Sequence, residues 1–184
     1  LMGIPTLIST ATASDAASVD ITSGIDSTYD EYMFVLTDMH PETDRQKILF
    51  QVNASGQSGF NETMTTTSFI AYHAEDDSGT PALGYRTGAD QAQGTAYQML
   101  TEEIDDAAKA STAGILHLFN PSSTTYVKHF YARFSDLNDQ GSNAFFANAS
   151  HTAGYINVTA AIDEISFKFA SGNMNGVIQM YGIA

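Results

Sequence analysis

Within the C-terminal stretch 163–184, large apolar side chains fall at every second position from 165 to 169. Ile165, Phe167 and Phe169 alternate with Ser166 and Lys168. A strand sends successive side chains to opposite faces, so this spacing buries one face and leaves the other polar. Ser171, Gly172, Asn173, Met174 and Asn175 are turn-prone, and 176–183 resumes an extended pattern of Val, Ile, Met and Tyr. Read as a hairpin, these two strands would leave an apolar face bare and half their backbone groups unpaired. They need a sheet beside them and a second sheet to pack upon. The closing strand is therefore expected inside a sheet.

The same pattern recurs along the chain. Val19, Asp20 and Ile21 alternate, and short β-prone runs cover 32–36, 48–52, 63–72, 83–86, 95–100, 144–147 and 154–158. The runs 32–36 and 48–52, joined by a polar loop after Pro41, are expected to pair as a core hairpin. The runs 115–119 and 126–134 flank Asn120-Pro121-Ser122-Ser123-Thr124-Thr125, a strong turn sequence, and are expected to pair antiparallel. Both carry large apolar groups on both faces, which predicts central strands, or strands with one face against a neighbouring subunit. With 121–125 as the loop, His117 faces His129, Ile115 faces Tyr131, Phe119 faces Val127 and Leu116 faces Phe130. Two protonated histidines so opposed would repel, predicting lower stability near about pH 5 than near about pH 8.

Helical spacing occurs only in 102–110, through Ile104, Ala107 and Ala108, and predicts a surface loop with one helical turn. Residues 136–143 read as a polar loop. The fold expectation is an all-β antiparallel sandwich, jelly-roll-like, with at most one short helix. Residues 1–18 form an arm or peripheral strand, and 19–184 a single domain. At 184 residues and 43% hydrophobic content the chain can fill one sizeable core.

Charge narrows the partners. Against 21 acidic residues stand only 7 basic ones, a net charge of -14. Nucleic acid needs a Lys/Arg footprint on its phosphates, and an anionic membrane attracts basic segments, so neither is an expected partner. The chain has no cysteine and hence no disulfide framework.

Candidate chemistry is sparse. His117 and His129 share the predicted central hairpin, but two ligands fall short of a structural zinc site. His40, His73 and His151 have no ligand spacing between them. The acidic runs 75–77, 102–106 and 136–139 invite comparison with calcium sites. Asp136-Leu137-Asn138-Asp139-Gln140-Gly141 is superficially similar to a calcium loop, yet Ala147 stands where the bidentate glutamate belongs. No nucleophile elbow and no phosphate-cradling glycine loop occurs. No catalytic, cofactor-binding or metal-binding residue is assigned, no cofactor is expected, and the chain is expected not to be an enzyme.

The runs Tyr72-His73-Ala74-Glu75, Leu118-Phe119-Asn120-Pro121-Ser122-Ser123-Thr124-Thr125-Tyr126-Val127-Lys128-His129-Phe130, and Ile165-Ser166-Phe167-Lys168-Phe169 through Met180-Tyr181-Gly182-Ile183 resemble virion structural proteins of marine tailed bacteriophages, including phages of cyanobacteria. The resemblance runs from Ile21 to the C-terminus and rests on turn and strand signatures. It implies a non-enzymatic, virion-located subunit, decorating a capsid or associated with a tail or fibre. Its partners would be other copies of itself, as a homo-oligomer such as a trimer, and other virion proteins. A carbohydrate-binding module, reading a host-surface glycan through exposed tyrosines and acidic loops, is the alternative.

Overall fold

Strand follows strand throughout the computed structural model, which describes residues 3–139 and 145–184, apart from the side chain of Asp139. In order the strands are β1 (Thr6–Ala16), β2 (Val19–Ile21), β3 (Glu31–Pro41), β4 (Ile48–Ala54), β5 (Met64–Ala74) and β6 (Ala82–Tyr85). They continue with β7 (Gln98–Met99), β8 (Thr112–Phe119), β9 (Lys128–Asp139), β10 (Phe145–Ile156), β11 (Ile162–Phe169) and β12 (Met174–Ile183). Among the described residues there is no helix. All pairings are antiparallel.

The strands form one sheet of eight, β1-β12-β3-β8-β9-β10-β5-β6, and one of four, β2-β11-β4-β7. Four of the pairings, β1·β12, β2·β11, β3·β8 and β4·β7, nest inside one another. A long antiparallel ribbon wrapped around a barrel-like core gives this nesting, and it is the jelly-roll topology. Two pairs of strands are insertions into that frame: β5–β6 between β4 and β7, and β9–β10 between β8 and β11. The insertions pair with each other through β10·β5 and widen one sheet only. The expected sandwich and jelly-roll character hold, and β8 and β9 are central strands as expected.

Two expected hairpins are corrected. β3 lies in the larger sheet and β4 in the smaller, and the same is true of β12 and β11. Each connection crosses between sheets instead of closing a ladder. β12 does lie inside a sheet, between β1 and β3. The two sheets meet face to face instead: Phe34 of β3 packs on Phe167 of β11 with ring centroids 5.7 Å apart, and Phe50 of β4 stands edge-on to Phe130 of β9 at 4.9 Å. Edge and tilted contacts of this kind follow the ring quadrupoles and anchor the apolar core.

The β8–β9 register also differs from the expected one. His117 lies opposite Tyr131 and Leu118 opposite Phe130, two residues away from the His117–His129 pairing. The turn is longer than 121–125, with Asn120 in left-handed backbone at φ 43° and β9 starting only at Lys128. A slip of two preserves the faces, so Leu116, Leu118 and Phe130 still point inward. The opposed-histidine basis for low-pH destabilisation is gone. Residues 136–139, expected in a loop, continue β9, while 140–143 fall outside the described residues.

Gly114, in β8 opposite Phe134, marks a close approach: a Cβ there would lie 2.3 Å from Phe134 Cδ1 and 2.6 Å from the Arg133 carbonyl oxygen. The Phe134 ring fills the space a side chain would take. Gly114→Ala is expected to cost about 2 kcal/mol in urea unfolding through overpacking. A change within about 0.5 kcal/mol would mean that Phe134 swings aside freely.

Candidate functional site

The insertions create the polar part of the molecule. Inward positions of β5, β9 and β10 beyond the reach of the smaller sheet carry Thr66, Ser68, Asp136, Asn138, Asn148, Ser150 and Thr152, all buried. A second apolar sheet could not satisfy these groups. The connecting segment 86–110 covers them and supplies hydrogen bonds. Thr66 Oγ1 donates to Gln98 Oε1 at 2.8 Å, and Gln98 Nε2 donates to the Ala89 carbonyl at 2.7 Å. Within that segment 102–110 is neither helix nor surface loop: Ile104 is fully buried and bridges to Gln46.

Asp136 is the focus of this polar interior. Its Oδ1 accepts from Thr112 Oγ1 at 2.9 Å, and its Oδ2 accepts from Ser150 Oγ at 3.0 Å and from the Glu102 amide at 3.1 Å. Burial pushes its carboxyl up to about 6; the Glu102 amide and the two hydroxyls oppose this, and the Glu102 carboxylate adds to it. Such a residue cannot belong to the calcium loop that the sequence suggested, because its oxygens are already engaged in the core.

Next to Asp136 a cleft of about 370 Å³ opens between the sheet and the 79–102 region. Tyr72, Asn148, Asn138 and Phe146 form its floor, from two successive inward-facing rungs, Asp136–Asn148–Tyr72 and Asn138–Phe146–Ala74. Tyr72 and Phe146 meet edge to face with centroids 6.1 Å apart. Opposite stand Arg86 and Glu102, joined as an ion pair, with Thr80 and Gly79 at the rim. The Asn148 side chain lines this cleft, is 95% buried (5% exposed), and makes no hydrogen bond with the described residues. The pair Arg86–Glu102 cancels its own charge, so the exposed chemistry is amide, aromatic edge and hydroxyl.

The opposite side of the larger sheet is apolar and open. Phe69, Tyr85, Leu83 and Tyr131 are exposed there at 43%, 55%, 71% and 45%. Phe69 stacks on His151 across β5·β10 at 4.8 Å, and Tyr131 stacks on His117 at 4.6 Å. From β3 to β6, outside the bulge at Asp38, the outward-facing residues whose side chains are described carry two formal charges, Glu31 and Arg133. Glu31 is bonded to His117 Nδ1. A shallow hollow of about 540 Å³ lies between Phe119, His129, Tyr131 and Tyr155.

The histidines do not converge. His117 meets Glu31 and Tyr131, His129 lies near Tyr155, and His151 stacks on Phe69. His40 Nδ1 is 2.7 Å from the Ala110 carbonyl oxygen, and His73 is 3.4 Å from Asp77. Asp44, Asp105 and Asp106 gather within 4.8 Å of one another, an acidic group without a histidine. Asn148 and Arg86 were not among the candidates read from sequence, and Glu102 entered only as part of the acidic run 102–106 compared with calcium sites. The signal at Asn148 is a polar residue at an inward position of β10, which alternation alone reads as a solvent face, while Arg86 and Glu102 lie outside the strands.

No protein-family model, no curated protein and no solved structure matches this chain.

Proposed function

We propose that the protein is a non-enzymatic virion structural subunit, decorating a capsid or associated with a tail or fibre, that assembles with copies of itself through the outer face of its larger sheet. The observation that carries this reading is the near-absence of charge on that face in a chain of net charge -14. Elsewhere two copies repel each other. Here Phe69, Leu83, Tyr85 and Tyr131 offer apolar area without electrostatic cost. Aromatic side chains of this kind are enriched at the centres of protein interfaces.

The first residues add to the same surface. Leu7 of β1 lies opposite Tyr181 on the outward side, 51% exposed, and Ile4 before it is 87% exposed. Because 6–13 pairs with β12, deleting the arm would strip a strand from the sheet. Point substitution is the cleaner probe.

Light scattering and sedimentation are expected to show a homo-oligomer at concentrations on the order of 0.1 mM, and Tyr131→Asp to weaken its assembly by roughly a hundredfold or more without changing the far-UV spectrum. Ile4→Ser with Leu7→Ser should weaken it to a smaller degree. A wild-type monomer at that concentration, or Tyr131→Asp assembling normally, would overturn the role of this face. Mass spectrometry of purified particles tests the virion assignment separately.

A further inference from the structure

We propose that the cleft bounded by Tyr72, Phe146, Asn148, Arg86 and Glu102 binds a neutral saccharide unit, with the Asn148 amide as its principal hydrogen-bonding group. The argument begins with the cost of burial. A largely buried amide with no partner inside the protein must take its hydrogen bonds from whatever enters the adjoining cleft, and buried amides are nearly always bonded. Asn148 is 95% buried (5% exposed) on β10 and makes no hydrogen bond with its rung neighbours Asp136 and Tyr72, so its amide can be satisfied only from the cleft that it lines. Asp136 spends its oxygens on Thr112, Ser150 and the Glu102 amide. The Asn148 amide therefore presents a donor and an acceptor side by side toward the cleft.

That pairing matches vicinal hydroxyls, each of which donates and accepts. Beside it Tyr72, 37% exposed, and Phe146 supply aromatic surface for the C–H face of a sugar ring. Charge sets the ligand's charge. The ion-paired Arg86 and Glu102 leave the wall neutral, and the molecule's net charge of -14 disfavours an anion. The volume of about 370 Å³ lies at the small end of ligand sites and suits one or two pyranose rings rather than a long polymer segment. The carbohydrate-binding possibility raised by exposed tyrosines and acidic loops thereby acquires a location. The cleft opens on the inward side of the larger sheet, away from the assembly face, so the two proposals stand or fall separately.

The test uses the full chain and a panel of neutral sugars: the methyl glycosides of glucose, mannose, galactose and N-acetylglucosamine, the free sugars, and lactose and cellobiose. Saturation-transfer NMR is expected to give a signal for at least one member, and titration to perturb the backbone amides of Tyr72 and Asn148. Asn148→Ala removes no internal hydrogen bond, so it should leave the melting temperature nearly unchanged while weakening binding about tenfold or more. Tyr72→Leu should weaken the same ligand, and sialic acid should not bind. Equal affinity for methyl glycoside and free sugar identifies a linked glycan residue as ligand; preference for the free sugar identifies a dissolved one. Absence of a signal across the panel, or binding indifferent to both substitutions, would overturn the site.

Discussion

Lys128→Met is expected to destabilise the fold by about 3 kcal/mol, measured by urea unfolding at neutral pH. Lys128 is fully buried at the start of β9, on the same side as Phe130 and Leu118. Its Nζ donates to three consecutive carbonyls, of Val158 at 3.2 Å, Thr159 at 2.8 Å and Ala160 at 2.6 Å. These carbonyls belong to the connection that carries the chain from β10 in the larger sheet to β11 in the smaller. One ammonium group thus pins 158–160, the middle of a crossover whose ends are held by backbone bonds from the Asn157 amide to the Thr63 carbonyl and from the Ser55 amide to the Ala161 carbonyl. Burial pushes the Lys128 ammonium below its ordinary value, and the Glu62 carboxylate partly restores it.

Methionine keeps the length and most of the volume, so the packing loss is small and the effect isolates the three bonds. Relief from burying a charge offsets part of their loss, which is why the expectation stays near about 3 kcal/mol rather than the sum of three charged hydrogen bonds. Hydrogen exchange supplies the second readout: faster exchange should concentrate at Ile162, whose amide bonds the Pro121 carbonyl at 2.9 Å, and at neighbouring residues. A loss below about 1 kcal/mol with unchanged exchange would mean that the crossover holds without the lysine.

How far the fold was legible follows from what a period of two encodes. It encodes the face, and faces were read correctly at Ile165, Phe167 and Phe169, and at Leu116, Leu118 and Phe130. It does not encode the partner strand. The connections 42–47 and 170–173 are long enough either to close a hairpin or to span the roughly 10 Å between packed sheets. Both do the latter. Nor does it encode an offset of two, which keeps every side chain on its proper face; the histidine register failed for that reason.

The candidate cleft was hidden for a different reason. Thr66, Ser68, Asn148, Ser150 and Thr152 occupy alternate positions like any solvent-facing row, and only the insertion of β5–β6 and β9–β10 into the jelly roll turns that row inward. Segment 86–110 then covers it. Burial of those residues is a property of the topology, and topology arises from contacts distant in sequence. Ile104 was misread in the same way, since its helical spacing with Ala107 and Ala108 says nothing of the core site it plugs beside Gln46.

Asp136 should give the molecule a pH dependence opposite in sign to the one that paired histidines would have produced. Its ordinary value of 3.8 rises to about 6 in the folded chain, chiefly through burial. A raised carboxyl means that the folded state holds its proton over a window in which the unfolded chain has released it. Below that window both states are protonated, and nothing is lost. As pH rises from about 4 through about 6 the folded state must ionise a buried group, and stability falls by about 3 kcal/mol at 1.36 kcal/mol per unit. Above it the loss is complete and constant. Other carboxylates titrate in the same range, so the expected result is a difference between two proteins. Asp136→Asn cannot ionise, and its stability relative to the wild type should improve by about 3 kcal/mol between about pH 4 and about pH 7. The Asn amide can still accept from the Glu102 amide, and the hydroxyls of Thr112 and Ser150 can rotate to suit it, so the variant is expected to fold. Urea unfolding of both proteins across that range measures the difference directly. Parallel profiles would show that Asp136 ionises in the folded chain as readily as in the unfolded one, and that its three hydrogen bonds offset the burial in full.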